Sequence, residues 1–107
     1  MEQQELYDRF LKISPDGSLY DQFFEAERSL YQAVVKHANA EFMRSPQEIR
    51  LAEEVEGNYR NLQGLARETN KRLREHRPPL PELPEERDEL GALVGNLMMS
   101  LFQNRRI

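Results

Sequence analysis

Between Gly17 and Pro46 the chain contains no glycine or proline, and its apolar residues recur every three or four positions. This spacing predicts one long helix over about residues 19–42. Two apolar stripes run side by side along it and together cover an arc of roughly 220°, far wider than the ~100° stripe of an ordinary surface helix. Such a helix must be covered on more than one side. The main stripe is Leu19, Phe23, Ala26, Leu30, Ala33, His37 and Ala40, and the second stripe is Tyr20, Phe24, Tyr31, Val35 and Phe42.

A shorter helix is predicted before this segment, over about residues 3–13, because its apolar residues also form a single stripe. It ends at the sequence SPDGS, in which Pro15 and Gly17 favour a reversal of the chain. Ser18 is the predicted N-cap of the long helix, since a serine hydroxyl can accept a hydrogen bond from a free N–H group of the first turn.

A third helix is predicted over about residues 46–77. It starts at the sequence SPQE, in which Ser45 would be the N-cap and Glu48 would complete a capping box. It ends before Pro78 and Pro79, because the residue preceding a proline disfavours helical geometry. Its apolar positions alternate by three and four residues, which is typical of a helix packed along a narrow seam against a neighbour. These positions are Ala52, Val55, Tyr59, Leu62, Ala66, Thr69 and Leu73.

The sequence PPLPELP, residues 78–84, is predicted to be a stiff, extended connector. A last helix is predicted over about residues 84–104, with acidic residues in its first turns, where the helix dipole favours negative charge. Connections that turn the chain back place successive helices antiparallel to one another. The sequence therefore predicts an all-α fold: an antiparallel bundle of one short N-terminal helix and three longer helices, forming a single domain over residues 1–107.

Composition and motifs argue against most catalytic and cofactor-binding classes. The chain has no cysteine, which removes disulfides and thiolate chemistry, and its net charge of −4 is unlike that of a general phosphate-binding protein. His37 and His76 lie on different predicted helices, and no phosphate-binding or metal-binding motif is recognisable. We therefore expect no enzymatic activity, no cofactor, no metal ion and no small-molecule ligand.

The N-terminal sequence MEQQELYDRF has neither the basic region nor the apolar region of a secretory signal. No run of residues approaches the ~18 apolar residues that a membrane span requires. A cytoplasmic protein that does not enter a membrane is the expectation.

His37 lies in the middle of the main apolar stripe of the second predicted helix. The simpler interpretation is a buried histidine that is hydrogen-bonded to Glu41, one helical turn away. The alternative is a pH switch or a catalytic group, because histidine is the side chain that titrates nearest to neutral pH.

Charge changes sign across the connector. Residues 67–77 carry five basic and two acidic side chains, whereas residues 82–89 carry five acidic and one basic side chain. The simpler interpretation is that each run complements the dipole of its own helix end. The alternative is a patch for nucleic acid or another anionic partner, formed by Arg67, Lys71, Arg72, Arg74 and Arg77.

The second and the last predicted helices carry more apolar surface than a bundle of this size would cover. The N-terminal helix is expected to shield the aromatic side chains of Tyr20, Phe24 and Tyr31. The remaining apolar residues predict a protein interface, because aromatic residues and methionine are enriched in such surfaces. They are Val35, Phe42, Met98, Met99 and Phe102.

Three roles are open for these residues: internal core, pairing with a second copy of the chain, or binding of a different protein. The leading hypothesis is a non-enzymatic protein–protein interaction module, of adaptor, chaperone-like or regulatory type, that self-associates as a homodimer. The alternative hypothesis is a nucleic-acid-associated regulator that uses the basic C-terminal half of the third helix.

Overall fold

The computed structural model describes residues 3–104, with side-chain detail for residues 4–97 and 99. Within residues 3–104 there are four α-helices and no strand: α1 Gln3–Ile13, α2 Ser18–Phe42, α3 Glu48–Glu75 and α4 Arg87–Asn104. The prediction of an all-α helical bundle is confirmed. α2 and α3 form an antiparallel hairpin, which is the frame on which α1 and α4 pack.

The hydrophobic core lies where α1 and α4 meet this hairpin. The main stripe of α2 is buried as predicted, apart from the half-buried His37. Burial of apolar area of this kind is the main source of stability in a small domain. The other elements contribute Leu6, Phe10, Leu62, Ala66, Leu73, Leu83, Leu90, Val94 and Leu97 to the same core.

α1 packs across the first turns of α2 through two aromatic pairs. Phe10 stacks on Phe23 with ring centroids 4.9 Å apart. Tyr7 meets Tyr20 edge-on, with ring centroids 5.2 Å apart. Each such pair contributes about 0.5–1.5 kcal/mol beyond the area that it buries. These two contacts fix the place of α1 near the N-terminal end of α2.

The turn between α1 and α2 is capped differently from the prediction. Gly17 has a φ of 78° and is the residue before α2, so Ser18 is the first helical residue and not its cap. The Ser18 N–H donates to Asp16 Oδ1 at 3.0 Å, and the Leu19 N–H donates to Ser14 Oγ at 3.2 Å. The Ser18 N–H and the Ser14 hydroxyl, by donating to the Asp16 carboxylate, hold its pKa below the ordinary value.

The C-terminal end of α2 has an arginine in a left-handed conformation. Arg44 has a φ of 52°. Its N–H donates to the Glu41 carbonyl at 3.2 Å, and the Ser45 N–H donates to the Ala40 carbonyl at 2.8 Å. This pair of bonds is a Schellman motif, whose left-handed position is usually a glycine because a Cβ strains that conformation.

The start of α3 also departs from the prediction. The Ser45 N–H already donates to the Ala40 carbonyl, so it is not free to donate the reciprocal bond of a capping box to the Glu48 carboxylate. Ser45 Oγ accepts a bond from the Gln47 N–H at 3.2 Å. α3 therefore begins at Glu48 rather than at residue 46.

Residues 76–86 form a connector that runs back along α3. Asn70 is buried, and its Nδ2 donates to the Leu83 carbonyl at 2.9 Å, while the Leu83 N–H donates to Asn70 Oδ1 at 2.6 Å. Gln63 Nε2 donates to the Glu85 carbonyl at 3.1 Å. The connector is thus held by hydrogen bonds to α3 as well as by the restricted φ of its prolines.

The two helices that flank this connector end and begin at other residues than predicted. α3 ends at Glu75, and His76 already has the extended values φ −63° and ψ 149°. α4 begins at Arg87 rather than at residue 84, because Glu86 is the residue that caps it. Glu86 Oε2 accepts bonds from the N–H groups of Glu89 and Asp88, both at 3.0 Å, and these bonds lower the pKa of the Glu86 carboxyl.

α4 begins beside α3 and passes over α2. The Arg87 guanidinium binds the Glu56 carboxylate at 2.9 Å and lies 3.9 Å from the centroid of the Tyr59 ring. Farther along α4, a Cβ built on Gly95 would lie 3.4 Å from Oε1 of Glu27 on α2. α4 therefore crosses the middle of the hairpin. Among the described helices, none combines the length and the apolar character needed to cross a lipid bilayer.

Candidate protein-interaction surface

A second row of side chains follows α2 on the side away from α3. Its positions alternate by four and three residues, which is the spacing of a coiled-coil seam. Phe42 is 86% exposed, Tyr31 67%, Val35 40% and Phe24 37%. We call this row the outer seam. It consists of Phe24, Arg28, Tyr31, Val35, Ala38 and Phe42, all of which are exposed.

The outer seam stays exposed because α1 covers only its beginning. At 100° per residue, the centre of the outer seam lies about 150° around α2 from the centre of the buried main stripe. Tyr20 is buried by α1, and its ring centroid lies 6.5 Å from that of Phe24. The expectation that α1 also shields Tyr31 is wrong, because α1 is too short to reach two turns farther along α2. α2 therefore has apolar residues on two nearly opposite faces, of which one is covered.

The end of the hairpin at the α2–α3 turn adds two more exposed apolar side chains, Met43 and Ile49. Ile49 continues a row on α3 whose members are seven residues apart and so share one face. Asn70, Gln63 and Glu56 belong to that row, and each bonds to the connector or to the first residue of α4. Ile49 is exposed because the connector and the start of α4 extend back along α3 only as far as Glu56.

His37 connects the two helices near this turn. Its Nε2 lies 2.8 Å from Oε1 of Glu48, and its Nδ1 lies 4.0 Å from Oε2 of Glu41. The predicted partner, Glu41, is therefore the more distant of the two carboxylates, and Glu48 is the hydrogen-bonded one. Since Glu48 is the first residue of α3, this contact ties the Phe42 end of the outer seam to the neighbouring helix.

The predicted interface residues are divided between two helices. Val35 and Phe42 lie on the outer seam, seven residues apart on one face of α2. Met99 is 62% exposed on α4, on the face turned away from the core. The side chains of Met98 and Phe102 lie outside the described residues.

Three of the five residues in the predicted anionic-partner patch bond within the molecule. The Arg72 guanidinium donates to the carbonyl of Ile13, the last residue of α1. Arg74 pairs with Glu82 of the connector at 2.6 Å. Arg77 donates to two backbone carbonyls in its own turn. Arg72 therefore links α3 to α1, and Arg74 links α3 to the connector.

The other two residues of that patch, Arg67 and Lys71, are exposed on α3 and have no charged partner among the described residues. They are four residues apart and share one helix face. Two neighbouring cations are a small fraction of the contacts by which proteins usually hold a nucleic-acid backbone.

An open groove runs between α2 and α3 on the other side of the hairpin from α4. Its charged lining residues are Asp21, Glu25, Arg60 and Glu68, and Ser29 lies at its edge. Within the described residues, no group of three or more histidine or carboxylate side chains is arranged to hold a metal ion. Most of the side chains that line this groove are charged or otherwise polar, whereas most of those of the outer seam are apolar.

Glu27 is half-buried where α4 crosses α2. Its Oε2 atom is buried and has no hydrogen-bond partner among the described residues. Burial raises the pKa of the Glu27 carboxyl. The charged form of Glu27 is therefore less favourable at this crossing than it is in water, because the carboxylate loses hydration and its Oε2 gains no hydrogen-bond partner.

Sequence reasoning did not include Arg28, Ala38 and Ile49 in the candidate surface. The alternation by four and three from Phe24 to Phe42 passes through Arg28 and Ala38, so the spacing was a usable signal for both. No local signal marks Ile49, because its exposure depends on where α4 leaves α3.

Comparison of the chain with models of protein families, with curated proteins and with solved structures finds no match.

Proposed function

We propose that this chain is a non-enzymatic protein–protein interaction module that self-associates through the outer seam of α2. The observation that carries this proposal is the exposure of Tyr31, Val35 and Phe42 at coiled-coil spacing on a helix whose other apolar face is already buried. Covering exposed apolar area is favourable by about 25 cal/mol per Å². A contiguous surface of this kind is typical of a site that binds another protein.

The outer seam is also held in place before any partner binds. Phe23 and Leu30 anchor the opposite face of α2 in the core, and the bond between His37 and Glu48 ties its C-terminal end to α3. A preorganised helix loses little conformational freedom on binding, which improves affinity. A homodimer of this type would serve as an adaptor, a chaperone-like protein or a regulator, and we place it in the cytoplasm.

The test is the molar mass in solution, measured by light scattering on a sizing column over a tenfold range of concentration. We expect a species larger than the monomer whose share rises with concentration. Phe42→Asp and Val35→Asp should shift it to monomer while leaving the helical circular dichroism unchanged, because each places a charge on the outer seam.

Ser29→Asp is the matched control, since it adds the same charge on the groove side of α2 and should leave the mass unchanged. A wild-type chain that is monomeric at every concentration, or a mass that all three variants lower equally, would contradict self-association through this seam.

A nucleic-acid-associated regulator is the alternative function, and the exposed pair Arg67 and Lys71 supports it. On this alternative, fluorescence polarisation at low salt should detect binding to short DNA or RNA, and binding should weaken as salt increases. Charge reversal at Arg67 and Lys71 should abolish it. These two positions are preferred to Arg72 and Arg74, whose replacement would also break internal contacts.

A further inference from the structure

We propose that two copies of the chain pair antiparallel through their outer seams, with the two-fold axis crossing α2 at the level of Ala33. This inference rests on the proposed self-association and adds to it the orientation and the register. In an antiparallel coiled coil, each seam position faces the complementary position of the partner helix rather than its own copy.

The side-chain sizes of the outer seam fit this register. With the axis at the level of Ala33, Phe24 faces the partner's Phe42, Tyr31 faces the partner's Val35, and Arg28 faces the partner's Ala38. Each layer then joins either two aromatic rings or a long side chain and a small one, so the layers can fill without large gaps. Two-fold symmetry repeats the same three layers on the other side of the axis.

A parallel pairing of the same seams fits less well. Every seam residue would then face its own copy, so Arg28 would meet the partner's Arg28 and Ala38 would meet the partner's Ala38. The first layer would bring two positive charges together, which disfavours association. The second would leave a gap, since two alanines are too small to fill the space between helices that aromatic layers hold apart.

The charges beside the seam also favour the antiparallel register. Glu41 lies three residues beyond Ala38, about 4.5 Å along the helix axis, so the partner's Glu41 lies within reach of Arg28. The Glu41 side chain is 70% exposed and is free to move toward the partner. The two-fold axis produces two such pairs. Glu27 does not oppose them, because its carboxylate is turned into the crossing between α2 and α4.

The seam is long enough for a specific but reversible contact. From Phe24 to Phe42 it extends about 27 Å along α2. Because its side chains are exposed, a two-helix contact of this length buries on the order of 1,000–1,200 Å² of accessible surface in total, which is at the lower end of the areas buried in specific interfaces. The dimer should therefore exchange with monomer as the concentration changes.

Single cysteines test the register directly, because the natural chain has none. Val34 lies next to the proposed axis, so Val34→Cys alone should be linked into a dimer by a short bismaleimide. Two copies of Ala38 would lie about 15 Å apart along the helices, and so would two copies of Arg28. Ala38→Cys and Arg28→Cys should therefore not be linked when alone, but an equal mixture of the two should be linked.

A charge exchange is the second test. Arg28→Glu and Glu41→Arg should each weaken the dimer about tenfold, since each creates two like-charged contacts, and the double variant should restore most of the affinity. Lys36→Glu is the control on the groove side of α2 and should leave the affinity unchanged. Thermal unfolding of each variant shows whether it is folded.

The outcomes separate this inference from the proposed function. If the wild type is a dimer but Ala38→Cys is linked when alone, and the mixture with Arg28→Cys is linked no more efficiently, the antiparallel register is wrong and self-association still stands. A wild-type chain that is monomeric throughout overturns both. Linking of Val34→Cys and of the mixture, together with rescue by the double charge exchange, supports both.

Discussion

Asn70 of α3 binds both backbone groups of Leu83, with its Nδ2 donating to the Leu83 carbonyl at 2.9 Å and its Oδ1 accepting from the Leu83 N–H at 2.6 Å. The Asn70 amide thus satisfies both the N–H and the carbonyl of Leu83, as a neighbouring β-strand would. Leu83 is buried in the core by this contact. Asn70 thus makes the buried pair of bonds that holds the middle of the connector on α3, and Gln63 binds the connector nearer to the start of α4.

Asn70→Ala should lower the free energy of unfolding by about 2–4 kcal/mol, because it leaves two buried backbone groups of Leu83 without a partner. Urea unfolding followed by circular dichroism measures the change. Asn58→Ala is the control, since Asn58 makes only an exposed bond to the Glu54 carbonyl; its cost should stay within about 0.5 kcal/mol. Equal costs for the two variants would show that Asn70 does not hold the connector.

Arg44→Gly should stabilise the protein by about 0.5–1 kcal/mol. Arg44 has a φ of 52°, where a Cβ is strained, and glycine removes that strain at a smaller cost in unfolded-state entropy. Gly17→Ala is the reverse substitution at φ 78°, with no atom within 4 Å of the new Cβ, and should cost about 1 kcal/mol from backbone strain alone. Melting temperatures of the two variants should therefore move in opposite directions from that of the wild type.

Glu27→Gln should stabilise the protein at neutral pH. The folded-state pKa of Glu27 is raised by burial, so the stability that its neutral carboxyl contributes is fully present below its unfolded pKa and is lost as pH rises through the folded pKa. The variant keeps the neutral form at every pH. Its advantage in urea unfolding should therefore be present at pH 7 and disappear near pH 4. An advantage of the same size at both values would mean that the charge of Glu27 is not its cause.

Arg72→Ala should cost about 0.5–1.5 kcal/mol, whereas Lys71→Ala should cost close to nothing. The Arg72 guanidinium donates to the Ile13 carbonyl at the end of α1, and Lys71 has no such bond among the described residues. Hydrogen exchange provides a local measurement, because loss of this bond should reduce protection in α1 more than in α3. Equal effects of the two variants would show that the bond from Arg72 to Ile13 does not stabilise the docking of α1.

Most of the helical architecture could be predicted from the sequence. The 3–4 spacing of apolar residues and the breaks at Gly17 and Pro78 are local signals, and they place the helices to within three residues at every described end. The misplaced ends have a common cause. Residue type favours Ser18 and Ser45 as N-caps and acidic residues after position 84 as a first turn, but the groups that cap the free N–H groups depend on the path of the turn.

The candidate surface could be predicted only in part. Val35 and Phe42 were identified because they stand on a second stripe of a helix that is too apolar to be covered on one side. Tyr31 was assigned to the contact with α1, and the assignment failed because a stripe in the sequence does not show how far along it a short neighbouring helix extends. Ile49 was not identified for a related reason, since its exposure depends on where α4 begins, which is at Arg87, thirty-eight residues later in the chain.

The sequence by itself determined which segments are helical and which of their faces are apolar, because both depend on residues a few positions apart. Only the tertiary structure decided which apolar face of α2 remains in contact with water. That choice depends on where α1 and α4 dock, through pairs such as Tyr7 with Tyr20 and Arg87 with Glu56. Such contacts join residues that are distant in the chain, and the free energy that selects them comes from packing the whole core.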